Sequence, residues 1–452
     1  MSSPIVPVKK PHIICVNPWI HDFAAYDVWA KPLGLLLLAA ILREQGYSVS
    51  YIDCLDRFHP RSPLRQDPYA RNGRGPYLKT HIQKPHGLAD IPRNYSCYGI
   101  MESWFREDLK AQKKPDLILI TSLMTYWYPG VQQTIRVIRD VFPDVPVILG
   151  GIYATLCQQH AEITSGADKV VTGSCDQEIV TIIEKETGGG TRPVHPAKNM
   201  DELPFPALDL LHTVSYIPIL TARGCPFSCS YCASGYLSKQ YVRRSPERVV
   251  DEILYWHQKY RVRDFVFYDD ALLIDAENHA LPILEAIIQA DLDIRFHTPN
   301  ALHIREMSND IIRLLYRAGF FTIRLGLETT SFEDRKSLDQ KFTEQEFHRA
   351  VLSLQQAGFE KGQIGAYLLV GLPGQSVRDI EQSIQVVKQN KIRPVLAYFT
   401  PIPHTKIWSR AVESSRYDIE SDPIFTNNAI LPCMDHFSWS TLTRLKNLAS
   451  GC

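Results

Sequence analysis

Cys225, Cys229 and Cys232 stand within eight residues, in the run Gly224-Cys225-Pro226-Phe227-Ser228-Cys229-Ser230-Tyr231-Cys232. The spacing is C-x3-C-x2-C, with an aromatic residue just before the last thiol. Iron–sulfur clusters are held by closely spaced cysteine thiolates, normally four. Three without a fourth suit a [4Fe–4S] cluster with one iron left open to a small molecule, which makes the site chemical rather than only structural. Zinc is the main rival. A structural zinc site needs a fourth Cys or His at its own spacing, and the next histidine, His257, falls inside a predicted helix. A disulfide framework belongs to small secreted domains rather than to a chain of 452 residues.

The elements around the thiols must place them. Residues 217–221 read as a short buried strand, so the cysteines occupy the loop after a strand, where α/β folds put their active sites. Downstream, strand patterns at 264–268, 292–297, 321–327, 364–370 and 395–399 alternate with helical stretches. Ser245-Pro246-Glu247 opens one helix with a cap, a proline at the first position and an acid in the first turn. Two others finish at Gly319 and Gly358 in the manner of C-cap glycines. Six βα units imply a parallel sheet with helices outside, a partial (β/α)6 barrel of the TIM type. Polar groups at the strand ends read as functional: Asp269 and Asp270, Thr298-Pro299-Asn300, Glu328, Gly371-Leu372-Pro373-Gly374 and Pro401-Ile402-Pro403. For each of these a helix cap or a turn is the plainer alternative.

The first part of the chain reads as an open, doubly wound Rossmann-like α/β domain. Strands are predicted at 12–17, 49–53, 116–121, 145–149 and 169–172, with an apolar helix closing at Gly46 and another at 130–141. Domain boundaries are expected at 1–200, 201–408 and a C-terminal extension 409–452. Residues 56–97, rich in Pro, Arg and Lys, form a long insertion, either a lid or a solvated surface. Tyr126-Trp127-Tyr128 is an aromatic cluster open to two readings, a ligand platform or core packing. In the tail, Cys433, His436 and Cys452 make only a weak metal pattern, and no second cluster is expected.

The cysteine motif resembles that of the radical S-adenosylmethionine (SAM) superfamily. The resemblance implies that Cys225, Cys229 and Cys232 hold the cluster and that SAM occupies the open iron. One electron then splits SAM into methionine and a 5′-deoxyadenosyl radical. It also implies that Tyr231 lies beside the adenine, and makes Asp270, Asn300, Glu328 and Gly371 candidate SAM contacts. Members often use Gly-Gly-Glu after the second strand for the SAM amino group; here that place reads Tyr268-Asp269-Asp270, so that contact does not transfer. The first domain resembles the cobalamin-binding domain that precedes the barrel in one large class of the superfamily. The matching pieces are Asn17-Pro18, Lys31-Pro32-Leu33-Gly34-Leu35, Asp53, Thr121-Ser122, Gly150-Gly151 and Gly173. Leu33, Gly34, Thr121, Ser122, Gly150, Gly151 and Gly173 become candidate cobalamin contacts. There is no D-x-H-x-x-G motif to supply a lower histidine ligand, and Gly173-Ser174-Cys175-Asp176 replaces the usual acidic turn.

With 49 basic and 49 acidic residues the formal charge is zero, which does not suit an electrostatic nucleic-acid binder. The longest apolar run, Leu33 to Leu42, is half of the roughly 20 residues of a membrane span. No basic-then-apolar pattern is legible ahead of the first domain, so no signal peptide is expected, and ten cysteines point to a reducing cytoplasm. The implied activity is cobalamin-dependent methylation of an unactivated carbon on a small molecule, with a flavodoxin- or ferredoxin-like one-electron donor. A radical oxidoreductase, cyclase or ring-rearranging enzyme is the alternative, and a cobalamin or SAM sensor a third.

Overall fold

The computed structural model describes residues 11–188, 197–331, 335–339, 341–434 and 438–451; His436 and Cys452 of the tail pattern lie outside them. The chain divides into two compact units, Met1–Val214 and Ser215–Cys452. That division falls later than residue 200. Residues 203–212 pack on the first unit, where Ala207 N–H donates to Leu36 O at 3.0 Å and Arg43 pairs with Asp209 at 2.8 Å. The tail is part of the second unit rather than a separate extension.

In the first unit five parallel strands, β1 (His12–Asn17), β2 (Ser48–Asp53), β3 (Leu117–Ile120), β4 (Val147–Leu149) and β5 (Lys169–Val170), run in the order β2-β1-β3-β4-β5. Strands covered on both faces read as unbroken apolar runs, and period-two alternation then sorts each run between two cores. Ile14, Val16, Ile118 and Ile120 pack with Val131, Ile135 and Ile138 of helix α2 (Tyr128–Val141). Ile13, Cys15, Leu117 and Leu119 pack with α1 (Leu33–Glu44) and with Ile179 and Ile183 of α3 (Ile179–Thr187). The order reverses between β1 and β3, the switch point at which such sheets bind ligands.

The insertion 56–97 is neither a free lid nor a bare solvated surface. Its segment Ser96–Tyr98 pairs antiparallel with Ile20–Asp22 on one side and with Lys79–His81 on the other, over a small core of Ile20, Leu55, Tyr77 and Tyr98. Arg57 ties it down from inside: its guanidinium meets Asp27 at 3.0 Å with both side chains buried, and also donates to Gln66 and to Gly73 O. Positive charge density in this segment is thus partly spent on holding its own loops.

His21, at the edge of this small sheet, is pulled down to about 4 by burial, against its hydrogen bond with Gln133 and helped by Arg136. The unfolded chain therefore takes up a proton that the fold refuses between pH 6.5 and about 4. Stability rises with pH across that window and is lost as pH falls through it, by up to about 3 kcal/mol for this one group. Asp53, raised to about 6 by burial and by Asp56, works the opposite way over the same range. The His21→Gln variant should therefore show a flatter acid limb in urea unfolding than the parent. Equal slopes from pH 7 to 4.5 would show that His21 is protonated within the fold.

The second unit carries six parallel strands, β6 (Ile217–Ile219), β7 (Asp264–Phe267), β8 (Arg295–His297), β9 (Phe320–Glu328), β10 (Ile364–Val370) and β11 (Arg393–Tyr398), each beside its neighbour in sequence. Helices α4 (Pro246–Tyr260), α5 (Ala280–Ala290), α6 (Asn309–Arg317), α7 (Glu344–Ala357) and α8 (Val377–Gln389) connect them. Ser245 caps α4 by accepting from Arg248 N–H, and Gly358 closes α7 with φ +109°. Among the described residues β6 and β11 are not paired, so the sheet is a partial barrel. The final helix, α9 (Trp439–Ser450), lies on this unit, with Lys388 Nζ donating to Leu448 O at 3.0 Å. Cys433 is buried with its thiol toward Ala411 O. No helix among the described residues is long and apolar enough to cross a membrane.

Candidate functional site

The thiol loop begins where β6 ends. Its base is a short antiparallel pair, Ala222–Arg223 with Val242–Arg243, and a buried carboxylate holds that base to the sheet. Asp269 accepts from Thr221 N–H at 3.0 Å, Thr221 Oγ1 at 2.6 Å and Ala222 N–H at 2.7 Å. Burial raises its pKa to about 6 in spite of these donors. Of the two strand-end aspartates, Asp269 is therefore committed to the backbone, and only Asp270 is solvent-accessible. Gly224 has φ +81°, and a Cβ there would stand 2.5 Å from Gln240 O, so the turn into Cys225 requires glycine. Further along, Ser230 N–H donates to Leu338 O at 2.8 Å and Ile407 N–H to Ser230 O at 2.9 Å.

Cys225, Cys229 and Cys232 are free thiols, half-buried, buried and exposed in turn. Burial pushes Cys225 up to about 11 and raises Cys229, while Lys341 pulls both the other way. Thiolate is the ligand form, so loading a cluster expels protons here. Among the described residues no three His, Cys, Asp or Glu side chains converge on a single ion. A [4Fe–4S] core takes its ligands on separate irons, whereas a structural zinc draws four onto one centre, and this loop offers three thiols. The donor set and the loop thus fit a cluster.

Behind the loop lies a polar cluster that local sequence patterns do not announce. Tyr231 OH stands 3.5 Å from Asp339 Oδ2 and 3.5 Å from Lys341 Nζ, and Glu328 acts on it electrostatically. Glu328 is buried, and burial raises its pKa against the pull of Lys341. Burial would lower Lys341, but Glu328, Cys229 and Asp339 outweigh it and hold the ammonium charged. Glu328 also has φ +61°, a conformation costing about 1–3 kcal/mol for a non-glycine residue unless its surroundings enforce it. They do: the β9–β10 register shifts between Gly326 and Glu328, and Arg335 donates to the carbonyl of Leu327. Arg335 in turn pairs with Asp339 at 2.8 Å, both side chains buried, and its guanidinium lies 3.6 Å over the Phe342 ring.

The other expected barrel contacts divide. Asn300 Nδ2 donates to Tyr268 O at 2.8 Å and Asp269 O at 3.3 Å, tying the ends of β7 and β8 together. Gly371 has φ +98°; its N–H goes to Gln375 Oε1 at 2.8 Å, and a Cβ would stand 2.9 Å from Leu431. Packing and turn geometry account for the glycine there. The residues missed from sequence are Ser234, Arg335, Asp339 and Lys341. Only Ser234 carried a usable signal, its place two residues after the last thiol.

In the first unit the expected residues gather at the C-terminal edge of the sheet. Asn17 Nδ2 donates to Asp53 Oδ1 at 2.7 Å. Ser122 Oγ donates to Gly150 O at 2.7 Å, and Ile152 N–H to Ser122 O at 2.8 Å. Gly151 (φ 96°, ψ −166°) lies in a region open essentially to glycine alone, and a Cβ would meet Ser122 O at 2.3 Å. Thr121 follows the end of β3 beside Ser122, and Leu33 opens α1. Around Gly34 and Gly173 no atom lies within 4 Å of a Cβ position, leaving their backbones approachable by a ligand. The aromatic cluster, by contrast, serves packing: Tyr126 is buried, Trp127 Nε1 donates to Asp22 at 2.7 Å, and Tyr128 stacks on Tyr153 at 5.8 Å. Gly151→Ala should destabilise this unit by at least about 2 kcal/mol and lower cobalamin retained per chain on gel filtration. Parental retention and melting would show that the strand end tolerates a side chain.

The Radical SAM superfamily model matches residues 219–387, and the B12 binding domain model matches residues 106–182. The uncharacterized methyltransferase PH0819 of Pyrococcus horikoshii is 25% identical over 370 residues, covering 75% of this chain and 78% of that protein. The anaerobic magnesium-protoporphyrin IX monomethyl ester cyclase of Rubrivivax gelatinosus is 23% identical over 328 residues, 65% of this chain and 58% of the relative. Among solved structures, the radical SAM methyltransferase TsrM of Kitasatospora setae, with cobalamin and a [4Fe–4S] cluster bound, shares the fold at a TM-score of 0.63 and 17% identity, covering 90% of this chain and 78% of that one.

Proposed function

We propose, for a chain that joins a radical SAM domain to a B12-binding domain, that this enzyme methylates an unactivated carbon of a small molecule. The joining of those two domains in one chain is the observation that carries the reading. When bound, the cluster supplies the electron that cleaves SAM, and cobalamin supplies a carrier for the methyl group. Cys225, Cys229 and Cys232 hold the cluster. Asp270, accessible at the rim of the loop, receives the SAM ammonium. Tyr231 and Glu328 line the nucleoside side, with Asn300 and Gly371 shaping the strand ends around it. Lys341 balances the carboxylates and thiolates in this dry cluster, which would otherwise repel one another strongly. In the first unit the backbones of Leu33, Gly34, Thr121, Ser122, Gly150, Gly151 and Gly173 cradle cobalamin. The exposed side of Cys232 faces the approach of a flavodoxin- or ferredoxin-like donor, in a cytoplasm that keeps the nine described free thiols reduced.

A second reading, radical oxidation or cyclisation without methyl transfer, is favoured by the similarity to the R. gelatinosus cyclase. Anaerobic protein loaded with iron, sulfide and hydroxocobalamin separates the two on incubation with SAM and a reductant. Formation of both 5′-deoxyadenosine and S-adenosylhomocysteine supports methylation, whose product is one CH₂ heavier than its substrate. The nucleoside alone moves the assignment to the second reading. Neither, from protein holding both cofactors, rejects both.

A further inference from the structure

The exposed thiol of the triad belongs to a short hydrogen-bonded chain. Ser234 N–H donates to Cys232 Sγ at 3.4 Å, the Cys232 thiol donates to Ser234 Oγ at 3.2 Å, and Ser234 Oγ donates to Asp270 Oδ2 at 2.9 Å. One serine thus touches both a cluster ligand and the carboxylate assigned to the SAM ammonium. A serine hydroxyl has one proton and two lone pairs. As drawn, that proton is given to Asp270 and a lone pair receives the thiol.

Cluster loading removes the thiol proton, so the single hydroxyl proton then has two acceptors, Asp270 and the ligating sulfur. An unoccupied carboxylate is the stronger acceptor and keeps it. An ammonium at Asp270 satisfies the carboxylate and frees the hydroxyl to turn toward Cys232 Sγ. Hydrogen bonds to cluster sulfurs favour the more negative, reduced state and raise the potential.

We propose that Ser234 is a positioning residue that makes the cluster easier to reduce once an ammonium occupies Asp270, so that electron uptake is coupled to cosubstrate binding. The inference rests on the assignment of Cys232 as a cluster ligand and of Asp270 to SAM. In the step itself, the oxidised cluster gains one electron from the external donor, the donor is oxidised, and the hydroxyl proton changes acceptor without leaving the protein.

The test is an EPR-monitored reductive titration with dithionite, on fully iron-loaded protein with and without SAM. The direct effect of SAM on the open iron is common to parent and variants and cancels in the comparison. With SAM present, Ser234→Ala should be about tenfold harder to reduce than the parent, which is 59 mV for a one-electron couple, and Ser234→Thr should recover most of this. Asp270→Asn gives the opposite signature without SAM: its neutral amide oxygen competes for the hydroxyl proton less strongly than a carboxylate, so its potential should move up toward the SAM-bound value of the parent. An unchanged SAM-dependent shift in Ser234→Ala overturns the proposal. If Ser234→Ala loads no iron, an unchanged SAM-free potential in Asp270→Asn overturns it equally. Failure of the parent itself to load iron is a separate outcome, which rejects the cluster reading.

Discussion

Cys229→Ala is expected to lose bound iron and to lower 5′-deoxyadenosine formation to the level of cluster-free protein. Disturbing an outer partner of a metal ligand costs roughly 10–100-fold, and removing a ligand from a site that has only three should exceed that. Cys229 is the most buried of the triad, 8% exposed, and it neighbours Lys341. Burial raises its pKa, and the Lys341 ammonium offsets part of the cost of its thiolate. Cys→Ala is a small change in volume, so the fold should survive. Cys433→Ala is the matched control: Cys433 is also buried, but its thiol points to Ala411 O, and that variant should keep parental iron. Iron analysis, the visible spectrum and chromatography of the nucleoside decide the matter together. Full iron and undiminished cleavage in Cys229→Ala, with a parental far-UV spectrum, would remove this thiol from the ligand set.

Arg335→Met should cost about 3–5 kcal/mol, the penalty for leaving one partner of a buried ion pair uncompensated. Asp339 would be left without its guanidinium partner, its side chain 1% exposed. The variant also loses the guanidinium over Phe342 and the donor to Leu327 O. That last bond holds the residue just before Glu328, whose left-handed backbone needs enforcement. A weakened affinity for SAM should therefore accompany the fall in stability. Replacing both partners, as Arg335→Met with Asp339→Leu, should recover much of the stability, since no unpaired charge remains. It should not recover SAM affinity, because Leu327 O is still without its donor. Urea unfolding and SAM binding measure the two effects separately. A loss under about 1 kcal/mol in the single variant would mean that the pair is screened as surface pairs are.

These two predictions draw on different kinds of information. The three thiols were legible because C-x3-C-x2-C is a local pattern, and the strands around them because an apolar run bounded by turns needs no knowledge of its neighbours. The Ser245 cap and the C-cap glycine at 358 were legible for the same reason: each is satisfied within one turn of chain. The roles of Asp269 and Asp270 were not, since two adjacent carboxylates look alike until the sheet register brings Thr221 and Ala222, nearly fifty residues away, onto one of them. The insertion was misjudged because what holds it is non-local: pairing of Ser96–Tyr98 with Ile20–Asp22 and one buried arginine. Arg57 reads as one more surface charge until Asp27 and Gly73 O surround it. Lys341 was invisible for a like reason, as nothing near it in sequence shows that it will stand beside Glu328; Arg335 has Asp339 at helical ion-pair spacing, but nothing local shows that the pair will be buried.

Sequence by itself determined the chemistry on offer and the elements that carry it: a thiol triad on a strand-end loop, six βα units, and a doubly wound sheet with glycine turns at one edge. Those features depend on spacing and on hydrophobic period, which act over a few residues. Tertiary structure alone decided which carboxylate clamps the loop and which stays accessible, which glycines are required by close backbone contact, and which cations stand beside the thiols. Those outcomes depend on burial and on pairing between distant strands, where desolvation makes each unmatched charge expensive and so selects its partner.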